Sequence, residues 1–207
     1  MNKIIAIDGT TASGKGTLAK KIASFYKLPY LNTGGLYRAI ALYLADNPSI
    51  DLSDSNAIIG ILAKVDFSDL ENPELYNENI SAMTSKIAIV PEVRKFLFSF
   101  QESFANQEGG AVLDGRDIGT VVCPHASFKF FITASVEERA KRRHREMLAK
   151  GKDIDYKEVL ANLVERDRRD SERALAPLKK ADDAVEVDTT DMGIDEVFPY
   201  VLSFIKF

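Results

Sequence analysis

The chain has 207 residues, with 27 Lys or Arg against 31 Asp or Glu, giving a net charge of −4 and a pI near 5.3. That balance excludes a general nucleic-acid binder, because affinity for a phosphate backbone needs a basic face. At 45% hydrophobic and 28% charged, with no apolar run long enough to cross a membrane and no basic-then-apolar opening of a signal peptide, it reads as a cytoplasmic globular protein. Such a length suits one core carrying inserted pieces. A single cysteine, Cys123, cannot form an internal disulfide, and with His125 and His144 as the only histidines no zinc site or cysteine nucleophile is arguable.

Ile4-Ile5-Ala6-Ile7-Asp8-Gly9 is an apolar run that predicts a buried strand broken at Gly9. After it come the small residues Thr10, Thr11, Ala12, Ser13 and Gly14, then Lys15, Gly16 and Thr17, and then Leu18, Ala19, Ile22, Ala23 and Tyr26 at helical spacing. Strand, small-residue loop and helix form a phosphate loop, in which inward-turned backbone N–H groups and the helix N-terminus cradle an anion. Gly9-x-x-x-x-Gly14-Lys15 fits the template, but Gly16 takes the place of the hydroxyl that usually follows the lysine and binds Mg²⁺. The metal is therefore expected on phosphate oxygens, water and a carboxylate.

Leu28 to Leu31 predicts a short strand confined by Pro29 to a start or edge, and Asn32-Thr33-Gly34-Gly35 a turn and helix start. Leu36, Ala39, Ile40, Tyr43 and Leu44 follow helical spacing up to Asn47-Pro48, and Arg38 lies off that stripe. A second helix is capped by Ser53 to Asn56. Residues 66 to 82 are polar and turn-rich, suggesting a small hairpin. From Pro91 a helix runs to about Asn106 on Val93, Phe96, Leu97, Phe100 and Phe104.

Ala111 to Asp114 predicts a buried strand that ends in the charged loop Asp114-Gly115-Arg116-Asp117-Ile118-Gly119-Thr120, the arrangement by which open α/β sheets build ligand sites. If this strand neighbours the first, Lys15 and these charges meet. The remaining elements are a strand over 127–133, a charged helix over 136–150, a helix over 155–173, a strand over 184–188 and a closing helix over 194–205. Five short strands separated by helices imply an α/β fold with a parallel sheet, right-handed crossovers and helices on both faces. Residues 139 to 173 hold twelve Lys or Arg and eight Asp or Glu, a net of +4 that leaves −8 elsewhere. Many of these twelve are expected in ion pairs on solvated helices. Arg166, Asp170 and Arg173 are spaced to share one helix face, which suits a phosphorylated ribose and suits an ordinary salt-bridged surface as well.

The segments Ile7-Asp8-Gly9 to Gly14-Lys15-Gly16-Thr17, Asn32-Thr33-Gly34-Gly35-Leu36-Tyr37-Arg38, Asp114-Gly115-Arg116-Asp117-Ile118-Gly119-Thr120, Glu165-Arg166-Asp167-Arg168-Arg169-Asp170 and Arg173-Ala174-Leu175-Ala176-Pro177-Leu178 together resemble bacterial cytidylate kinases over essentially the whole chain. The resemblance implies a P-loop, three-layer kinase fold with core segments 1–32, 107–141 and 165–207, an acceptor-nucleotide region over 33–106 and a mobile helical lid over 142–164. It implies ATP-dependent phosphorylation of CMP and dCMP with Mg²⁺, by a monomer. Gly9, Thr10, Thr11, Ala12, Ser13, Gly14, Lys15, Gly16 and Thr17 would hold the ATP phosphates. Thr33, Arg38, Arg116 and Arg173 would hold the CMP phosphate, Ser85, Arg94 and Asp117 would read cytosine, and Arg166 and Asp170 would hold the ribose. Lys15, Arg116 and Arg173 would act on the transferring group. Ser85 and Arg94 match through the looser pattern Ser85-Lys86-Ile87-Ala88-x-x-Pro91-x-Val93-Arg94.

Three departures stand out. Ala12 sits where many members have Gly, which asks that this position avoid positive φ. Thr33 replaces Ser and keeps the hydroxyl. The stretch between about Asn77 and Ser85 is shorter than in familiar members and lacks an Ile-Arg segment. The competing readings are another small-molecule kinase, acting for instance on adenylate or shikimate, and a non-catalytic ATP-binding switch.

Overall fold

The computed structural model describes residues 3–206. Its elements are β1 (Lys3–Gly9), α1 (Lys15–Tyr26), β2 (Tyr30–Asn32), α2 (Thr33–Asp46), α3 (Ser55–Leu62), a 3₁₀ turn (Pro73–Tyr76), α4 (Glu78–Ile87), α5 (Pro91–Ala105), β3 (Gly110–Gly115), a π-helical turn (Ile118–Val122), β4 (Phe128–Thr133), α6 (Val136–Ala149), α7 (Tyr156–Glu172), β5 (Val185–Asp188) and α8 (Ile194–Leu202). The strands lie in the order β2-β3-β1-β4-β5. β1 runs parallel to both β3 and β4, and β4 parallel to β5, with Ile7 opposite Asp114 and Asp8 opposite Gly115. Because the chain fills one side of β1 before crossing to the other, the carboxyl ends of β1 and β3 meet at the switch point where such sheets bind ligands.

The apolar runs form strands because β1 and β3 are buried along nearly their whole length. The apolar stripes of α1 and α8 close over the sheet through Leu18, Ile22, Val197 and Val201, packed on Ile5, Ile7, Val112, Phe130 and Ile132. Each fully buried aliphatic side chain contributes about 1.5–3 kcal/mol.

The chain divides into two compact units, Met1–Tyr30 with Ala105–Phe207, and Leu31–Phe104. The second has its own apolar core, with Leu36, Ile40, Ile58, Ile87, Val93 and Leu97 all buried. Here the structure corrects the expected hairpin over residues 66–82: the segment contains the 3₁₀ turn and the start of α4. The polar residues that suggested turns are helix caps, the side chain of Asn72 accepting from the Glu74 N–H and that of Asn77 from the Ile80 N–H. Asn and Asp serve turns and caps by the same local hydrogen bond, so composition alone does not separate the two. α7 stops at Glu172, so Arg173 leaves the helix with extended backbone and does not continue the face of Arg166 and Asp170 as expected.

Candidate active site

β1 ends at a glycine that nothing else could replace. A Cβ on Gly9 would lie 2.0 Å from the Ile132 carbonyl oxygen, where β1 presses against β4. The loop then turns so that the Ser13 hydroxyl and the Lys15 ammonium both donate to the Thr10 carbonyl, at 2.9 and 3.1 Å. Gly14, at φ +85°, opens α1 with no side chain capping its first N–H groups. Those donors, facing a loop of small residues, are what an anion needs. The Thr10 hydroxyl is buried and has no hydrogen-bond partner among the described residues, as an acceptor-rich phosphate would supply. Burial and then the Arg116 guanidinium push the Lys15 ammonium below the ordinary lysine range, with Asp114 pulling the other way.

Ala12 contradicts its expectation: its φ is +60°, in the left-handed region. The reason lies outside the loop. Its methyl packs against the cluster of Ala140, Met147, Val159 and Leu163 formed by α6 and α7, a contact that glycine could not make. The left-handed conformation costs an L-residue about 1–2 kcal/mol, and burying a methyl recovers about 0.8 kcal/mol.

At the end of β3, Asp114 accepts a 2.8 Å hydrogen bond from the Tyr30 hydroxyl, and burial raises its pKa against the pull of Lys15. A Cβ on Gly16 would stand 3.6 Å from Asp114 Oδ2, so this carboxylate lies beside the start of α1. Arg116 reaches further. Its Nε donates to Asp170 Oδ2 at 2.9 Å and its Nη2 to the Thr11 hydroxyl at 2.6 Å, tying the β3 loop, the phosphate loop and α7 together. Burial alone would raise Asp170, but Arg116 and Arg166 outweigh it and hold the carboxyl below its usual range. Arg173 stands 3.6 Å from Asp117 and donates to the Ala176 carbonyl at 2.7 Å. The structure therefore brings Lys15, Arg116, Asp117, Arg166, Asp170 and Arg173 together in the first unit through contacts spanning 54 residues and more.

Two residues of this unit escaped sequence reasoning. Arg139, 5% exposed, donates to the Ala134 carbonyl at 2.8 Å and the Thr11 carbonyl at 3.2 Å and pairs with Asp167 at 2.6 Å. It braces the phosphate loop from α6, and its only signal was its place beside buried Ala140 in a charged helix. The other is Asp8, a lone carboxylate in an apolar strand. Elsewhere in the basic segment the ion-paired reading holds: Arg143 pairs with Glu146, Arg145 with Glu138, and Arg168 with Glu165 and Glu172. Arg142 is held by the Thr189, Thr190 and Met192 carbonyls beyond β5.

In the second unit, Asn32 caps α2 by accepting from the Gly35 N–H at 3.1 Å, leaving Thr33 buried at the first turn. One turn on, Arg38 donates to the Leu75 carbonyl at 2.9 Å and the Ser81 hydroxyl at 2.7 Å, with its guanidinium over the Tyr76 ring. Tyr76 is itself fixed, accepting from the Asn32 amide at 2.9 Å and donating to the Leu70 carbonyl at 2.7 Å. Ser85, in the last turn of α4, has a buried hydroxyl with no hydrogen-bond partner among the described residues. Arg94 donates to the Ala88 carbonyl at 3.3 Å, on the connection that separates it from Ser85.

Among the described residues, no cluster of three or more His, Cys, Asp or Glu side chains could hold a metal ion by itself, and no helix is long and apolar enough to cross a membrane.

The chain is similar to solved and curated proteins along its whole length. A crystal structure of an uncharacterized protein from Eubacterium ventriosum superposes with a TM-score of 0.56 at 19% identity, covering 99% of this chain and 98% of that one, a likeness of fold. The curated cytidylate kinases of Methylocella silvestris and Xanthobacter autotrophicus are each 48% identical over 98% of this chain, covering 94% and 97% of their own lengths. That of Bartonella quintana is 45% identical over 98% of this chain and 94% of its own length. The cytidylate kinase family model matches residues 5–207. With that match running from the first buried strand past the last helix, the chain belongs to the cytidylate kinase family.

Proposed function

We propose that this enzyme, a nucleoside-monophosphate kinase by family, transfers the ATP γ-phosphoryl group to CMP and to dCMP, with the residues of both units in the roles that the family resemblance assigns. The observation that carries the reading is the convergence of Lys15 and Arg116 on the phosphate loop, one through the Thr10 carbonyl and the other through the Thr11 hydroxyl. An anion-binding loop alone would serve a switch module. An arginine delivered to that loop from the charged end of the neighbouring strand supports transfer to a second phosphate.

Phosphoryl transfer asks little covalent help of a protein; it asks for in-line positioning and positive charge around the moving group. On this reading the loop from Gly9 to Thr17 binds the ATP phosphates by its N–H groups, and Lys15 and Arg116 balance charge on the transferring group while Arg173 balances it on the acceptor side. An oxygen of the CMP phosphate forms the new bond to phosphorus as the bond to the ADP oxygen breaks. The donor set fits Mg²⁺, since Asp114 offers a carboxylate beside Gly16 to a metal otherwise ligated by phosphate and water. When bound, the ion neutralises phosphate charge and fixes the triphosphate's shape.

Thr33 and Arg38 are assigned to the acceptor phosphate, Ser85, Arg94 and Asp117 to cytosine, and Arg166 and Asp170 to the ribose. The buried, unbonded Ser85 hydroxyl supports its place, as it has a hydrogen bond left to make. Asp117 accepts from the exocyclic amine of cytosine and would face a carbonyl in uracil, a mismatch that costs about 1–3 kcal/mol. The region over 33–106 would take the acceptor and the segment over 142–164 would close as a lid, excluding water. A cytoplasmic monomer is part of the same reading, in keeping with a single cysteine that is buried as a thiol. The test is ATP turnover, followed by coupled release of ADP, against CMP, dCMP, UMP, AMP and shikimate. Turnover with both cytidine nucleotides ahead of the rest is expected, and preference for AMP or shikimate, or no acceptor-dependent turnover, refutes it.

A further inference from the structure

β1 buries one charged side chain beside its aliphatic ones. Asp8 is 4% exposed, and each of its oxygens accepts one backbone N–H, Oδ1 from Ile118 and Oδ2 from Gly119, both at 2.8 Å. These are the first two amides of the π-helical turn, whose own N-cap residue, Asp117, makes no side-chain cap. The carboxylate therefore caps, from another strand, the turn that begins directly after Arg116 and Asp117. Gly119 permits the approach, since a Cβ there would lie 3.4 Å from Asp8 Oδ2 and 3.2 Å from the Lys129 stem.

A carboxylate in this place is costly. Burial, and to a lesser degree Asp117, pushes its pKa up to about 7 against the two N–H groups and Arg116. The cations facing it are engaged elsewhere: Arg116 with Asp170 and Thr11, and Lys129 with Asp183 and the Pro124 carbonyl. Asp114, on the paired strand, is turned to Tyr30 and Lys15. A turn that only had to be stable could be capped locally by a neutral side chain without burying a charge. The sequence neighbour of Asp8 is Gly9, where the phosphate loop begins, so this one side chain joins the base of that loop to the loop bearing Arg116 and Asp117.

We infer that Asp8 is a positioning residue: by holding the Ile118 and Gly119 amides it sets where Arg116 and Asp117 project relative to the phosphate loop, and so tunes acceptor placement and base choice without touching either substrate. This rests on the assignment of Arg116 and Asp117 to the acceptor. Asp8→Asn keeps the shape and one acceptor oxygen but turns an N–H against the other amide. Misplacement of reacting groups by about 1 Å can cost a hundredfold. The variant is accordingly expected to raise KM for CMP and narrow the ratio of kcat/KM for CMP over UMP, each by roughly tenfold, with ATP affinity within about twofold of wild type.

Wild type supplies a second measurement should the variant fail to fold. Protonation of Asp8 below its pKa removes an acceptor, so the CMP to UMP ratio should fall as pH drops from 8 to 6. The two nucleotide phosphates titrate alike and cancel in that ratio, and the ratio in a folded Asp8→Asn variant should stay flat. An unchanged ratio and KM in Asp8→Asn, equal losses for ATP and CMP, or a pH-independent ratio in wild type would each overturn the inference. Asp117→Asn, assayed beside it, separates the two claims: if that variant leaves the ratio untouched the base-reading assignment fails, whereas a narrowed ratio there with none in Asp8→Asn refutes the positioning role alone.

Discussion

The two units secure their arginines through contacts of different reach in sequence. In the first, Arg116 and Arg139 are bound to carboxylates and to the phosphate loop far away in sequence, Arg116 to Asp170 and the Thr11 hydroxyl, Arg139 to Asp167 and the Thr11 carbonyl. In the second, Arg38 donates to the Leu75 carbonyl and the Ser81 hydroxyl, and Arg94 to a carbonyl six residues away, all within that unit. Charged pairs buried together resist displacement, because removing one partner leaves the other stranded. The first arrangement suits groups that must already be in place when phosphoryl transfer begins, and the second ties its arginines to the unit in which they lie.

Substitutions can break or sharpen this contrast. Lys15→Ala should have the largest effect on turnover, a loss of about 10³-fold or more in kcat, because preorganised charge at a transferring group is the leading catalytic contribution. Its ammonium makes one hydrogen bond to the loop, so circular dichroism and the melting temperature should stay near wild type. A folded variant with near-normal turnover would remove the phosphate loop from the mechanism.

Arg139→Ala should be the most damaging to stability, by about 3–5 kcal/mol, as it strands the Asp167 carboxylate and releases the Thr11 carbonyl. Chemical denaturation measures it; a loss under about 1 kcal/mol would show that the buried pair is not what braces the loop. Arg38→Ala should do the reverse, raising KM for CMP by about tenfold to a hundredfold, the worth of a hydrogen bond to a charged group, while stability and KM for ATP hardly change. Equal losses on both substrates would remove Arg38 from the acceptor site.

The smallest effect is expected at Ala12→Gly, where relief of the left-handed backbone and loss of the methyl contact nearly cancel. A melting shift within about 3 °C follows for a chain of this size. A larger loss would mean that the contact with α6 and α7 dominates.

What the sequence determined by itself is whatever depends on near neighbours. Apolar runs such as Ile4 to Ile7 and Ala111 to Leu113 became buried strands. Helical stripes such as Leu18, Ala19, Ile22 and Ala23 became the buried faces of helices. The spacing from Gly9 to Lys15 also marked a strand end, a tight loop and a helix start, because these three are consecutive in the chain. Helix caps were visible too, yet the same Asn and Asp chemistry misread residues 66 to 82 as a hairpin, since a cap and a turn share one local hydrogen bond.

Only the tertiary structure decided which charges face which. That Arg116 meets Asp170 and Thr11 depends on α7 and β1 arriving at the same end of β3. That Ala12 takes a positive φ depends on a methyl-sized space beside α6 and α7. Asp8 carried no signal of its own within the apolar run, and its burial under two amides follows from the π-helical turn laid over it. Periodicity reports the environment of a face averaged along one element, whereas burial of a single polar atom is set by elements distant in sequence, and it is at such atoms that this site is assembled.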